Sequence, residues 1–236
     1  MVSPATAQEK SRCVYDALRT LKGTFPFSAG YKTSFSLARE GFELTFQNKT
    51  KVFLTAQTSV KGCPAGHCKV STHLLVCNGP VAETTRRCVL DASEQFKNFT
   101  GSSSGRINIV FSSSGRLVPS IRQRHPRDYY YFTSDIDPDI FTQRILSDIR
   151  EYFYPMLEAF VEDYDKGLEM VLDSDFLSQA TVERPFTTAL ALLKLTGRER
   201  EVGRLLEAAE SNDAYYDYHQ LGDAAQEYAS YFAVGL

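Results

Sequence analysis

The chain has no tryptophan, only four histidines and three methionines, and five cysteines in 236 residues. Each shortage excludes something. The histidines are scattered, at 67, 73, 125 and 219, and none pairs with an obvious nucleophile. No G-x-S-x-G, P-loop, G-x-G-x-x-G or H-E-x-x-H pattern occurs, so motif-defined hydrolases, nucleotide-binding enzymes and zincins are set aside. The chain reads as non-enzymatic, with no cofactor. An odd cysteine count fits reduced thiols better than a disulfide framework. No apolar run approaches the roughly 20 residues of a membrane span. The opening "MVSPATAQEKSR" lacks the apolar core of a secretory signal. A cytoplasmic address and no membrane partner are the expectation.

What is present is a globular composition. Hydrophobic residues make up 43% of the chain and aromatics 12%, enough to build a core rather than a disordered tail. The net charge of −3 hides an asymmetry. Residues 1–137 hold 18 Lys and Arg against 10 Asp and Glu, a net of +8. Residues 138–236 hold 8 against 19, a net of −11. Such a split marks two structural parts and can mark a partner of definite sign.

The two parts also differ in period. Residues 8–22 place Cys13, Val14, Ala17, Leu18 and Leu21 at helical spacing, which predicts a short amphipathic helix, closed by Gly23 and Pro26. From 33 to 60 the apolar residues alternate: Phe35 and Leu37, then Phe42, Leu44 and Phe46, then Val52, Leu54 and Ala56. "AREG" and "QNKT" stand where turns are needed. This predicts an antiparallel β-meander with one apolar face. "CKVSTHLLVC" (68–77) continues it after a "GCPAGH" turn. Residues 81–100 predict a short helix over their middle. "RINIVF" (106–111) and "YYYF" (129–132) read as further strands.

Beyond "DIDPDI" the pattern is helical throughout. Asp137 can cap and Pro138 can open the first helix, Pro155 predicts a kink or break near Tyr154, and Gly197 suits a helix end. Residues 185–197, 198–211 and 213–235 read as three more helices. The expectation is an α+β fold: N-terminal helix, antiparallel β-meander, then a C-terminal α-helical bundle. Region 1–137 would carry helix and sheet. Region 138–236 would pack on it in one compact unit.

Four segments invite chemistry. In "CPAGHCKVSTHLLVC", Cys63, Cys68, His73 and Cys77 could be zinc ligands. The gap of four between the cysteines is wide for a knuckle, and His73 and Cys77 fall on a predicted strand, about 13 Å apart along it. A Cys63–Cys68 disulfide and a plain hairpin are the other readings, and the hairpin is preferred. "RLVPSIRQRHPRD" gathers Arg116, Arg122, Arg124, Arg127 and His125, a basic loop that could bind nucleic acid. It lacks interleaved aromatics, so a solvated loop or pairing with the acidic half is preferred. Asp135, Asp137 and Asp139 resemble half a calcium loop without its Gly or closing Glu; capping explains Asp137 better. Last comes the acidic half, with Glu162, Asp163 and Asp165, and "NDAYYDYHQLGD", with Asp213, Tyr215, Tyr216, Asp217 and Tyr218. Tyr beside Asp is a mix that interfaces favour for anchors, and these eight residues are the expected partner-binding set.

"ILSDIREYFYPMLEAFVEDYDKGLEMVL" and "FTTALALLKLTGREREVGRLLEAAES", with the Tyr152–Leu157 turn between helices, resemble the ending of a family of bacterial α+β domains of unknown function. The meander at 33–60 is similar to the strands that precede that ending. The resemblance spans about 33–210. It implies an immunity or accessory protein that binds a bacterial toxin, with no catalytic residues to carry over. The expected partner is then a basic toxin domain, such as a nuclease. Two alternatives stay open: a nucleic-acid-binding protein using the basic N-terminal half, and an enzyme with an unrecognised site.

Overall fold

The computed structural model describes residues 16, 19–20, 25, 30–36, 41–59, 68–89, 92, 94–100, 106–111, 117–118, 130–132, 140, 143, 146–147, 150–151, 154–179 and 181–233. Within them the chain is α+β, an antiparallel sheet with several helices.

Four strands in succession form an antiparallel meander that runs inward from the sheet's edge: β1 (Tyr31–Ser36), β2 (Gly41–Phe46), β3 (Lys51–Ser59) and β4 (Cys68–Cys77). The alternation fixes their register. Phe42 faces Leu54, and Leu54 faces Leu74; all three are buried. A slip of one residue would turn this whole set to the opposite face. The strand β5 (Arg106–Phe111) adds to β4 with Ile107 opposite Val76 and Ile109 opposite Leu74. The short β6 (Leu117–Val118) pairs with β5, and β7 (Tyr130–Phe132) pairs with β4.

One strand was not expected. The two residues of β8 (Thr181–Val182) lie in the acidic half and pair with Asn108 and Ile107 of β5. So the second half is not wholly helical: it contributes to the sheet. Two residues carry no readable period, which is why the pattern hid it.

Residues 81–100 hold two helices rather than one. They are α1 (Gly79–Cys88) and α2 (Glu94–Thr100), and they flank the middle where a single helix was expected. Then come α3 (Tyr154–Val161), α4 (Tyr164–Leu172), α5 (Ser174–Gln179), α6 (Pro185–Thr196), α7 (Val202–Glu210), α8 (Tyr216–Leu221) and α9 (Ala225–Ala233). The expected helix at 213–235 is therefore two, parted by Gly222 at φ 54°, a backbone angle that side chains resist. Pro155 stands in the first turn of α3, where a missing N–H costs nothing, and Arg150 and Glu151 just before it form a π-type turn. Gly197 ends α6 at φ 71°, its N–H bonding back to Lys194. Of the predicted N-terminal helix, only Asp16, Arg19 and Thr20 are described, and these are helical. The Asp137 cap lies outside the described residues.

Helix α6 is the hub. Pro185 through Leu193 are all buried, as a helix apolar on every side must be, and α1, α4, α7, α8 and α9 pack around it. A polar knot ties sheet to helices. Asn78 Nδ2 donates to the Phe160 carbonyl at 2.6 Å, while Asn78 Oδ1 accepts from Val81 N and caps α1. Gly79 N donates to Thr50 Oγ1 at 3.2 Å. Among the described residues, buried side chains of strands and helices form one contiguous core.

Candidate functional site

Eight residues were expected to meet a partner, and the structure separates them into two sets. Asp163, Asp165, Asp213 and Tyr216 are exposed, with Glu162 and Tyr218 half-buried. Tyr215 and Asp217 are buried, at 1% and 0% exposure. These two are a correction: neither is a surface anchor. Their polar atoms are spent on the protein's own backbone.

The physical reason is helix ends. Every helix leaves its first N–H groups and last carbonyls without internal partners. Helix α6 begins after Arg184, which has φ 51° and offers no side-chain cap. Asp217, from 30 residues on, supplies it. One carboxylate oxygen accepts from Phe186 N at 2.9 Å, and the other accepts from Thr187 N and Thr187 Oγ1, both at 2.9 Å. Tyr215 Oη donates to the Val171 carbonyl at 2.8 Å, in the last turn of α4. Tyr216 Oη accepts from Arg184 N at 2.6 Å. Three consecutive side chains thus close one end each of α4 and α6, a clasp made by Tyr215, Tyr216 and Asp217.

The clasp's electrostatics follow from depth. Burial pushes the Asp217 carboxyl up, against the opposing pull of its bonds from Thr187 and Phe186. Burial pushes the Tyr215 phenol up to about 12, with the nearby Asp217 charge adding to it. It raises Tyr228 as well, whose hydroxyl lies 3.4 Å from Thr187 Oγ1. These phenols keep their protons in the folded state after the unfolded chain has released its own. Stability is therefore fully present below pH about 10 and falls as pH rises toward about 12. A spectrophotometric titration should show a late, cooperative rise of tyrosinate absorbance together with loss of helical circular dichroism. A smooth rise with the dichroism intact through pH 12 would contradict the burial.

Asp217, Thr187 and Tyr228 form a cluster of polar groups linked through the Thr187 hydroxyl. All three have 0% exposure, so no substrate reaches them, and the cluster is structural.

The acidic surface lies outside this core. From 154 to 233 the chain carries sixteen Asp and Glu against six Lys and Arg, a net of −10. Several of the cations already face carboxylates. Arg198 contacts Glu169 and Glu201 at 2.6 Å and Asp165 at 3.5 Å, joining α4 to the turn before α7. Arg204 adds to Glu169 and Glu201, Lys194 meets Glu199, and Lys166 meets Glu158. The paired Arg198 guanidinium lowers the Glu201 carboxyl. Such exposed pairs are worth roughly 0–1 kcal/mol each, so they organise the surface more than they stabilise it. Asp163 also caps α4, accepting from Lys166 N. Exposed carboxylates continue through Asp173, Asp175, Glu207, Glu210, Asp213, Asp223 and Glu227. Sequence periodicity held a clue to the clasp: Ala214, Asp217, Tyr218 and Leu221 sit at i, i+3, i+4 and i+7, so Asp217 lies on an apolar stripe.

The sulfur-rich segment resolves in part. Cys63 lies outside the described residues, and Cys68 is described only as backbone of β4. His73 and Cys77 both lie on β4, which forms over its full length; four residues apart on a strand, they cannot meet at one ion. Cys77 and Cys88 are free thiols, and burial pushes the Cys88 thiol up, away from reactivity. Among the described residues no group of three His, Cys, Asp or Glu could hold a metal. Apart from Leu117 and Val118, the basic segment 116–128 lies outside the described residues, as do Asp135, Asp137 and Asp139. No described helix is long and apolar enough to cross a membrane. No family model, curated protein or solved structure matches the chain.

Proposed function

We propose that this chain is a non-enzymatic binding protein that captures a basic protein domain on its acidic helical surface. The observation that carries the reading is the net of −10 over residues 154–233, displayed on helices that a buried clasp holds in place. The resemblance to immunity-type domains supplies the class of partner: a bacterial toxin domain, such as a nuclease, met in the cytoplasm. A nuclease must be basic where it holds phosphates. An acidic surface both steers toward such a site and occludes it, with association that weakens as salt rises.

The test compares two baits in the native host's lysate at low and high salt. One is the wild-type chain; the other carries Glu207→Lys, Glu210→Lys and Asp213→Lys, which are exposed and outside the clasp. The wild type should retain one stoichiometric basic protein at low salt and lose it at high salt, and the reversed variant should retain none of it. Equal retention by both baits would remove this surface from the reading. Recovery of nucleic acid in place of a protein would favour the basic N-terminal half.

A further inference from the structure

Among the described residues only two large apolar side chains are well exposed, Ile140 and Tyr216. Tyr216 is the informative one. It is 42% exposed, yet its hydroxyl is tied to Arg184 N at 2.6 Å. Its neighbours Tyr215 and Asp217 are locked into the core on either side. An exposed aromatic ring ordinarily loses rotamer freedom when a partner orders it. Here the clasp has fixed the ring before any partner arrives. Rigid aromatic rings of this kind are frequent anchors at interfaces.

The surroundings say which chemistry the ring would meet. The charges near the phenol are Asp217, Glu183 and Arg184. The Arg184 guanidinium stacks on the Phe99 ring, 4.2 Å from its centroid. Asp213 stands three residues before Tyr216, the other exposed positions of α8 are His219 and Gln220, and the exposed Asp223 lies in the turn that follows it. Two carboxylates against the one Arg184 guanidinium leave the surroundings net negative, and a π face so placed attracts a cation, with the planar guanidinium able to stack on it.

We propose that the exposed face of α8 docks an arginine-bearing segment of the basic partner, with one guanidinium seated on the Tyr216 ring. This rests on the acidic-surface reading above and names its anchor. Charge complementarity selects the occupant: a cationic peptide segment rather than an apolar one.

The experiment uses full-length protein and a nona-arginine peptide, titrated calorimetrically at low salt. Tyr216→Phe and Tyr216→Leu both lose the hydroxyl and its bond to Arg184 N, so that loss cancels between them. The Phe variant should bind close to wild type. The Leu variant should bind about fivefold more weakly, the size of one cation–π contact at a surface. Equal affinities for Phe and Leu, with wild type still binding, would overturn the anchor and leave the acidic surface standing. A wild type that binds no nona-arginine would overturn both. Equal melting temperatures of the two variants confirm that the comparison reads the ring.

Discussion

Asp217→Ala will cost the fold about 3–5 kcal/mol, with Asp217→Asn costing roughly half as much. Alanine strips partners from two backbone N–H groups at the start of α6 and from the Thr187 hydroxyl. All are buried, so no water replaces the carboxylate. Each orphaned donor costs about 1–3 kcal/mol. Removing a buried charge gives part of this back, because burial works against the ionised form. Asparagine keeps one acceptor but turns an amide N–H₂ toward donors of Phe186 or Thr187. Urea unfolding checks the order: the midpoint should fall in the sequence wild type, Asn, Ala, with the slope unchanged. An Ala variant within 1 kcal/mol of wild type would mean the clasp does not hold α6. The same result bears on function, since charge reversal at Asp217 would report unfolding rather than a lost partner contact.

Gly79→Ala should be nearly as damaging, for a reason of space. A Cβ at Gly79 would lie 2.4 Å from the Asn48 carbonyl oxygen and 2.8 Å from the Lys49 carbonyl carbon. Both are backbone atoms of the β2–β3 turn, and they cannot rotate away. The start of α1 would have to lift from the turn, stretching the Gly79 N bond to Thr50 and the Asn78 bond to Phe160. We expect a loss of about 3 kcal/mol, roughly 6–12 °C in melting temperature for a chain of this length. Gly197→Ala is the control. A Cβ there meets nothing within 4 Å, but φ is 71°, so the cost is backbone strain alone, about 1 kcal/mol. If Gly79→Ala melts no lower than Gly197→Ala, α1 does not sit against that turn.

These two positions also show what the residues disclosed in advance. The strict alternation of Phe42, Leu44 and Phe46 with Val52 and Leu54 announced β2 and β3, because period two in a half-buried strand has no other simple source. Gly197 announced the end of α6. Asp217 announced only its side of the helix, through the stripe of Ala214, Tyr218 and Leu221, and not its role. Tyr and Asp side by side describe an interface anchor and a buried cap equally well. What decides between them is Arg184, which enters α6 without a cap of its own, 33 positions earlier. Gly79 was silent, since its constraint comes from a turn 30 residues away. The strand β8 was too short to carry a period. In each case the missing information was a contact distant along the chain.

The pairing of β8 with β5 and the packing of α6 against α1 have a consequence during synthesis. The strands through β4 emerge from the ribosome first, carrying Leu44, Leu54 and Leu74, side chains buried in the finished protein. The hub helix follows more than a hundred residues later. At about 5–20 residues per second, the nascent sheet waits roughly 5–20 s for its central helix. Through that interval its apolar strands are open to wrong pairing and to chaperones. The decisive step of folding thus waits for the C-terminal side of the fold, and the core closes only once α6 and the Tyr215–Asp217 clasp have been made.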